Sequence, residues 1–280
     1  MTKSHHPWDL SSDTDDSAIV PTPPIGGDDP ATTRSFAPTL AATTAAPLPG
    51  KAQLYIQQPG GSTAISLNDL HQGQIGDCYL LSAIGEIALN NPTFISSIIK
   101  QNTNGTETVT LHVPVASSPG RTVLRTEQVV VTNNFPSYGV NGQGQDAVNG
   151  VHEIWPQVLE SAYAQANGGY AAIGNGGSPV LAMEELTGQT AMWTQSVSAI
   201  TAGLLESLSA SKDLIVMDTR NSSQLPYNLV GNHAYMFDGI RTVNGAAMVQ
   251  LANPWGFDQP SLIPVSQLSK GIVEVDVGRV

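Results

Sequence analysis

Gln72-Gly73-Gln74-Ile75-Gly76-Asp77-Cys78-Tyr79-Leu80-Leu81 constrains this chain more than any other stretch, because it sets the only cysteine at the mouth of an apolar segment with helical spacing. Apolar residues recur at Leu80, Leu81, Ile84, Ile87, Ala88 and Leu89, and Gly76-Asp77 punctuates the approach, so a helix is predicted to begin at the cysteine. The first N–H groups and the positive end of that helix favour thiolate over thiol, which predicts a lowered pKa and a reactive sulfur at Cys78. Gln72, six residues upstream, carries an amide able to donate a hydrogen bond to the oxyanion formed when the sulfur attacks a carbonyl. Taken alone, a single cysteine reads more often as an inert packing residue, since free cysteines are among the most buried side chains.

The 280 residues suffice for one sizeable core or two lobes sharing an interface. A lone cysteine forms no internal disulfide, so folding needs no oxidising compartment. A formal net charge of -12 with only 11 Lys and Arg excludes the concentrated positive charge that nucleic-acid binding requires. No apolar run approaches the ~18 to 20 residues that span a bilayer, and Met1 to His6 leads into no signal-peptide core. The expected setting is cytoplasmic, or exported without a recognisable signal peptide, and the expected assembly is a monomer.

Residues 1–50 are rich in Pro, Thr, Ser, Ala and Asp without periodic hydrophobes, and are expected to form a disordered tail. A solubilising or targeting leader fits this better than a propeptide that blocks a cleft. Lys51 to Ile56 and Thr63 to Leu67 read as short extended pieces, and Asn91-Pro92 ends the cysteine helix and starts another through about Lys100. Thr106 to Val115 and Thr122 to Thr132 alternate like a strand pair. His152 to Ala166 has helical spacing, and Pro179 to Leu186 reads as a short helix closed by Thr187-Gly188. Beyond a boundary near Gln189 to Ser196 the texture turns strand-rich: a helix at about Thr201 to Ser209, then strands at Leu214–Thr219, His233–Ile240, Ala246–Leu251 and Ile272–Val277. The expectation is an α+β molecule with a helical lobe (51–190) followed by a β-rich lobe (191–280).

His233 begins a predicted strand after a Gly turn, and Asn253 ends the next one, so a hairpin can bring the two side chains together. A thiol nucleophile needs an imidazole to take and return its proton, and a third group to orient the ring. An amide can serve, because a thiolate–imidazolium pair already carries the charge separation. Individually, a lone His and an Asn-Pro turn are more often structural. Their joint arrangement with Cys78 is less readily accidental.

The Cys78 segment resembles the Gln-Gly-x-x-Gly-Asp-Cys-Trp-x-Leu signature of calpain-type cysteine proteases, with Tyr79 in place of Trp. His152-Glu153-Ile154-Trp155-Pro156 through Tyr163-Ala164 resembles that family's second-helix motif, Gly169-Tyr170 through Gly188 continues the likeness, and His233-Ala234-Tyr235 and Asn253-Pro254-Trp255-Gly256 resemble its His and Asn motifs in order. The resemblance runs from about Asp69 to Val280. It implies a papain-like two-lobed fold with Cys78 as nucleophile, His233 as general base then acid, Asn253 as orienting group, and Gln72 with the Cys78 N–H as oxyanion donors. Gly176 or Gly177 would hold substrate backbone, and Trp255 would shield the His–Asn pair. The implied reaction is thiol endopeptidase chemistry on protein or peptide substrates through an acyl-thioester.

The resemblance also implies calcium at one site, with Asp69 and Glu153 as its carboxylates, although two carboxylates fall short of a shell of about six to eight oxygens. Two solvated surface acids are an equal alternative. The family's second core site and its calcium-binding helical module are expected to be absent, and no organic cofactor is expected. Asn232 stands where a Gly usually precedes the His, which could narrow the cleft. Two other classes remain open: a catalytically silent relative used for binding, and a transglutaminase or deamidase using the same thioester.

Overall fold

The computed structural model describes residues 46–47, 51–57, 60–61, 63–118, 121–142, 147–190 and 192–280; apart from Ala46–Pro47, the expected tail lies outside them. Strands β1 (Ala46–Pro47) and β2 (Lys51–Gln53) lead through a 3-10 turn at Leu67–Asp69 to helix α1 (Cys78–Asn90). Next come α2 (Pro92–Ile98), β3 (Ile99–Gln101), β4 (Glu107–Ser118), β5 (Arg121–Val131), β6 (Asn134–Phe135), β7 (Ala147–Val148) and β8 (Val151–Glu153), followed by α3 (Trp155–Ala166), α4 (Tyr170–Ile173) and α5 (Pro179–Thr187). The remainder is β9 (Trp193–Ser196), α6 (Ala202–Ala210), β10 (Leu214–Thr219), β11 (Ala234–Val243), β12 (Ala246–Ala252), β13 (Ile263–Pro264) and β14 (Ile272–Gly278). Among the described residues no helix is long and apolar enough to cross a membrane.

The predicted strand pair is the long β4–β5 hairpin, with β3 beside β4. It buries Val109 and Leu111 in one core with Val158 and Leu159 of α3. Two expectations differ from the structure. The stretch before the cysteine closes in a 3-10 turn instead of a strand, because Asp69 accepts from both the N–H and the hydroxyl of Ser66. The second large helix starts at Trp155, since His152 and Glu153 pair in parallel with β2 before Pro156 can sit in the first helical turn. Strand β9 carries too short and too exposed a pattern to be foreseen.

In the second lobe all six strands run antiparallel in the order β13-β12-β11-β10-β14-β9. Alternation along β10 sends Leu214 and Val216 into a core shared with α1, and Ile215 and Met217 into a second core with Leu205 and Leu208 of α6.

Helix α1 lies on this sheet, buried from Tyr79 to Ala88. Close approach requires Gly85, where a Cβ would stand 2.0 Å from the Met236 sulfur. Glu86, fully enclosed in the helix, fastens the contact: its Oε2 accepts from the N–H of Ile215 at 2.9 Å and its Oε1 from the N–H of Phe237 at 2.6 Å. The β10–β11 ladder ends at Val216↔Met236, so the carboxyl takes over where strand pairing stops. Glu86→Ala strands two buried N–H groups and is expected to cost about 3 to 5 kcal/mol of stability, with Glu86→Gln falling between it and the native protein. Urea unfolding midpoints of the three proteins check this.

Candidate active site

Cys78 is the first residue of α1, half-buried, with Asp77 at the cap before it. Ser82, one turn on, donates to the Ala234 carbonyl at 3.0 Å, and the Ala234 N–H is directed at the sulfur. The sulfur therefore abuts the peptide that follows His233. The lowered pKa expected from the helix end is overturned: burial pushes the thiol from 9.0 up to about 12, and the charges of Asp77 and Asp218 act in the same direction. Such a rise corresponds to about 4 kcal/mol, whereas an exposed helix end offers ~0.3 to 1 kcal/mol.

His233 is 6% exposed and Asn253 2%. Thr219 fixes the histidine backbone through its hydroxyl, which accepts the His233 N–H at 2.9 Å. Preceding it, Asn232 has φ +54, a left-handed conformation that asparagine tolerates and that explains how it replaces glycine there. The ring Nε2 lies 2.9 Å from Asn253 Oδ1. That oxygen also accepts the Trp255 N–H at 3.1 Å, while Asn253 Nδ2 donates to the Asp258 carbonyl at 3.2 Å. The amide orientation is thereby settled, so Nε2 carries the proton and Nδ1 keeps its lone pair. Trp255 and Tyr235 flank the imidazole with ring centroids 4.9 and 4.8 Å away. This enclosure drops the imidazole pKa to about 4, with the Asn253 bond opposing. Among the described residues no hydrogen bond joins Cys78 to the ring, and the two groups rest as neutral thiol and neutral imidazole.

Gln72 bridges the lobes by its backbone, donating to the Pro254 carbonyl at 2.8 Å. Its side-chain amide is turned into its own loop, donating to the Ile75 carbonyl at 2.8 Å and to Asp77 Oδ1 at 3.1 Å. The Gly174–Gly176 turn pairs with Gly76 through two backbone bonds, 3.0 and 3.1 Å long, which carries exposed Gly176 and Gly177 to the approach of the nucleophile. Tyr79, in the position of the family's Trp, packs its ring so close that a Cβ on Gly177 would be 2.4 Å from it. A cavity of about 590 Å³ is lined by Asn253, Asp238, Arg241 and Gln250 and is not lined by the thiol.

Asp69 and Glu153 are buried, not solvated. Asp69 Oδ2 accepts from Ser66 N at 2.7 Å and from the Trp155 indole at 3.2 Å, and Oδ1 accepts from the Ser66 hydroxyl at 2.9 Å. Glu153 Oε1 accepts from the Ile56 N–H at 2.5 Å. As arranged, these donors do not fit a calcium shell, because the Asp69 oxygens are engaged, and among the described residues no cluster of three His, Cys, Asp or Glu could hold a metal ion.

Two neighbours escaped the sequence reading. Thr219 and Asp218 end strand β10, and Asp218 lies across the ladder from Ala234, hence beside the sulfur. A carboxylate closing an apolar strand was the available signal.

A helix-borne thiol set against an imidazole–amide pair on a neighbouring sheet is the architecture of papain-like cysteine proteases. A family model described as calpain family cysteine protease matches residues 56–260. Human Calpain-9 is 29% identical over 223 residues, covering 70% of this chain and 29% of its own length. Calpain from Schistosoma mansoni is 29% identical over 209 residues, covering 67% and 26%. The Calpain-2 catalytic subunit of Gallus gallus is 29% identical over 212 residues, covering 70% and 29%. This chain belongs to the calpain family of cysteine proteases and has the papain-like, two-lobed α+β fold; it spans less than a third of the length of these relatives.

Burial and its carboxyl neighbours Asp276 and Glu274 push Asp218 up to about 8. The folded state then holds a proton that the unfolded state has released, so stability falls as pH rises through that value. Unfolding free energy is expected to be about 1 kcal/mol lower at about pH 8.5 than at about pH 7, above the range where His233 titrates. Chemical denaturation at both pH values, with Asp218→Asn showing a flatter response, checks this.

Proposed function

We propose that this chain is a calpain-type thiol endopeptidase that hydrolyses peptide bonds through Cys78, His233, Asn253 and Gln72. The observation that carries the reading is the His233–Asn253 pair, assigned as Nε2–H to Oδ1 and sheltered by Trp255, one peptide from a sulfur at a helix start. His233 Nδ1 would take the thiol proton as sulfur attacks the scissile carbonyl, and would return it to the leaving amine. Water, activated by the same nitrogen, would then break the acyl-thioester. The Cys78 N–H and Gln72 would meet the oxyanion, and Gly176 and Gly177 the substrate backbone. Asn253 orients without handling protons.

Catalysis from the resting arrangement requires the imidazole to reach the thiol and Gln72 to release one of its two loop bonds. That second requirement favours, as an alternative, a catalytically silent binding relative. Calcium support at Asp69 and Glu153 would require Asp69 to exchange Ser66 and Trp155 for the ion, and no step above is routed through it.

The test is labelling by an epoxysuccinyl thiol-protease probe under reducing conditions, with calcium and with a chelator, together with mass spectrometry of a treated protein mixture. Wild type should label and generate new peptide termini, and Cys78→Ala should do neither while remaining folded. His233→Ala should lose roughly a thousandfold or more in turnover and Asn253→Ala less. Absence of labelling in both calcium conditions would establish the silent relative, and one-dalton shifts or crosslinks without new termini would establish a deamidase or transglutaminase. A rate that rises with calcium in wild type and not in Asp69→Asn marks the exchange at Asp69.

A further inference from the structure

Directly beneath the nucleophile lie two carboxyls that the mechanism above does not use. Asp77 and Glu160, from the α1 cap and from α3, are both 0% exposed and bonded to each other. Asp77 Oδ1 holds Gln72 Nε2 at 3.1 Å and the carboxyl also faces its own backbone N–H, while Glu160 Oε1 accepts the Val140 N–H at 2.7 Å and the Tyr170 hydroxyl is turned to the same carboxyl. The other oxygens, Asp77 Oδ2 and Glu160 Oε2, have no hydrogen-bond donor. Two carboxylate acceptors cannot face each other bare in a dry interior, and one shared proton satisfies both. The space is closed around them, since a Cβ on Gly139 would stand 2.4 Å from Glu160 Oε2. The groups facing the pair are the Cys78 thiol, the Tyr79 and Tyr170 hydroxyls and the Gln72 amide; no cation acts on either carboxyl.

We propose that Asp77 and Glu160 form a one-proton pair that positions Gln72, Asp77 anchoring the amide and Glu160 holding the proton that keeps the pair singly charged. This rests on the protease reading for the role of Gln72, but the anchoring itself does not. Burial raises both carboxyls, and the Asp77 charge raises Glu160 further, which keeps the proton on the glutamate side. Loss of that proton would place two anions in contact and tighten the hold on Gln72, withdrawing it from the oxyanion.

The test combines two readouts on the full chain. In nitrogen–proton spectra, the Gln72 side-chain amide, assigned by its loss in Gln72→Ala, should titrate in wild type over the range in which the pair gives up its shared proton, well above the ordinary carboxylate range. In Glu160→Gln, where a fixed N–H replaces the shared proton, it should stay flat across that range. In kinetics on a peptide substrate, Asp77→Ala should lower kcat about tenfold to a hundredfold with KM within about twofold. Alkylation of Cys78 by iodoacetamide, which forms no oxyanion, should not slow. Asp77→Asn, which restores an acceptor for Gln72, should recover most of the loss. Gln72 signals that ignore pH in wild type, or hydrolysis and alkylation falling together in both Asp77 variants, would overturn the proposal. Should wild type show no turnover while its Gln72 signals titrate and those of Glu160→Gln do not, the protease reading fails and the pair stands.

Discussion

One polar stripe on an apolar helix holds the site together. Cys78, Ser82 and Glu86 recur every fourth residue, so they lie in a line along α1 and face the same way. All three meet the backbone of the central strands: the sulfur and the Ser82 hydroxyl at Ala234, the Glu86 carboxyl at Ile215 and Phe237. Hydrophobic packing alone would let a helix slide or roll on a sheet, because it has no direction. Hydrogen bonds to named backbone groups fix the register, and the register decides that the thiol arrives at the residue after His233. Chemistry across the lobes is thus set by a contact made two turns away from it.

The electrostatics of the same contact favour the proton on sulfur. Burial of most of Cys78 and nearly all of His233 lifts the thiol and depresses the imidazole, so each group prefers its neutral form. A thiolate–imidazolium pair would need either partial rehydration as the lobes part or the mutual attraction of the two charges once they touch. Pre-formed orientation of His233 by Asn253, Trp255 and Tyr235 leaves only the distance to the thiol to be closed.

Much of this was legible in the chain. The spacing of Leu80, Leu81, Ile84 and Ile87 showed the helix, and β-branched alternation showed β4 and β5. His233 and Asn253 could be paired because one residue opens a strand and the other closes its hairpin partner. What escaped had a common cause. Glu86, Glu160 and Asp77 are carboxylates inside helices or at their caps, where sequence alone reads a solvated face; only tertiary structure shows that their partners are backbone groups and one another. Asp69, read either as a calcium carboxylate or as a solvated acid, is held by its sequence neighbour Ser66 and by the distant indole of Trp155, a contact that no local pattern shows. The thiol's pKa went the other way for a similar reason: a helix end is local and readable, whereas desolvation is a property of everything packed around the sulfur.

The surrounding acidity bears on the amide proposed as the orienting group. Asp77 and Asp218 both raise the pKa of Cys78 when they carry charge, so each carboxyl that ionises near the sulfur works against a thiolate there. A carboxylate in place of Asn253 would stabilise the imidazolium, but it would also set a further anion in the enclosure where a thiolate has to form. Asn253 accepts from Nε2 without adding charge, and its Nδ2 donates to the Asp258 carbonyl, which holds the amide in that orientation. On the proposed protease reading, a neutral orienting group forgoes some stabilisation of an imidazolium and adds no further anion beside a sulfur that already has carboxyl neighbours.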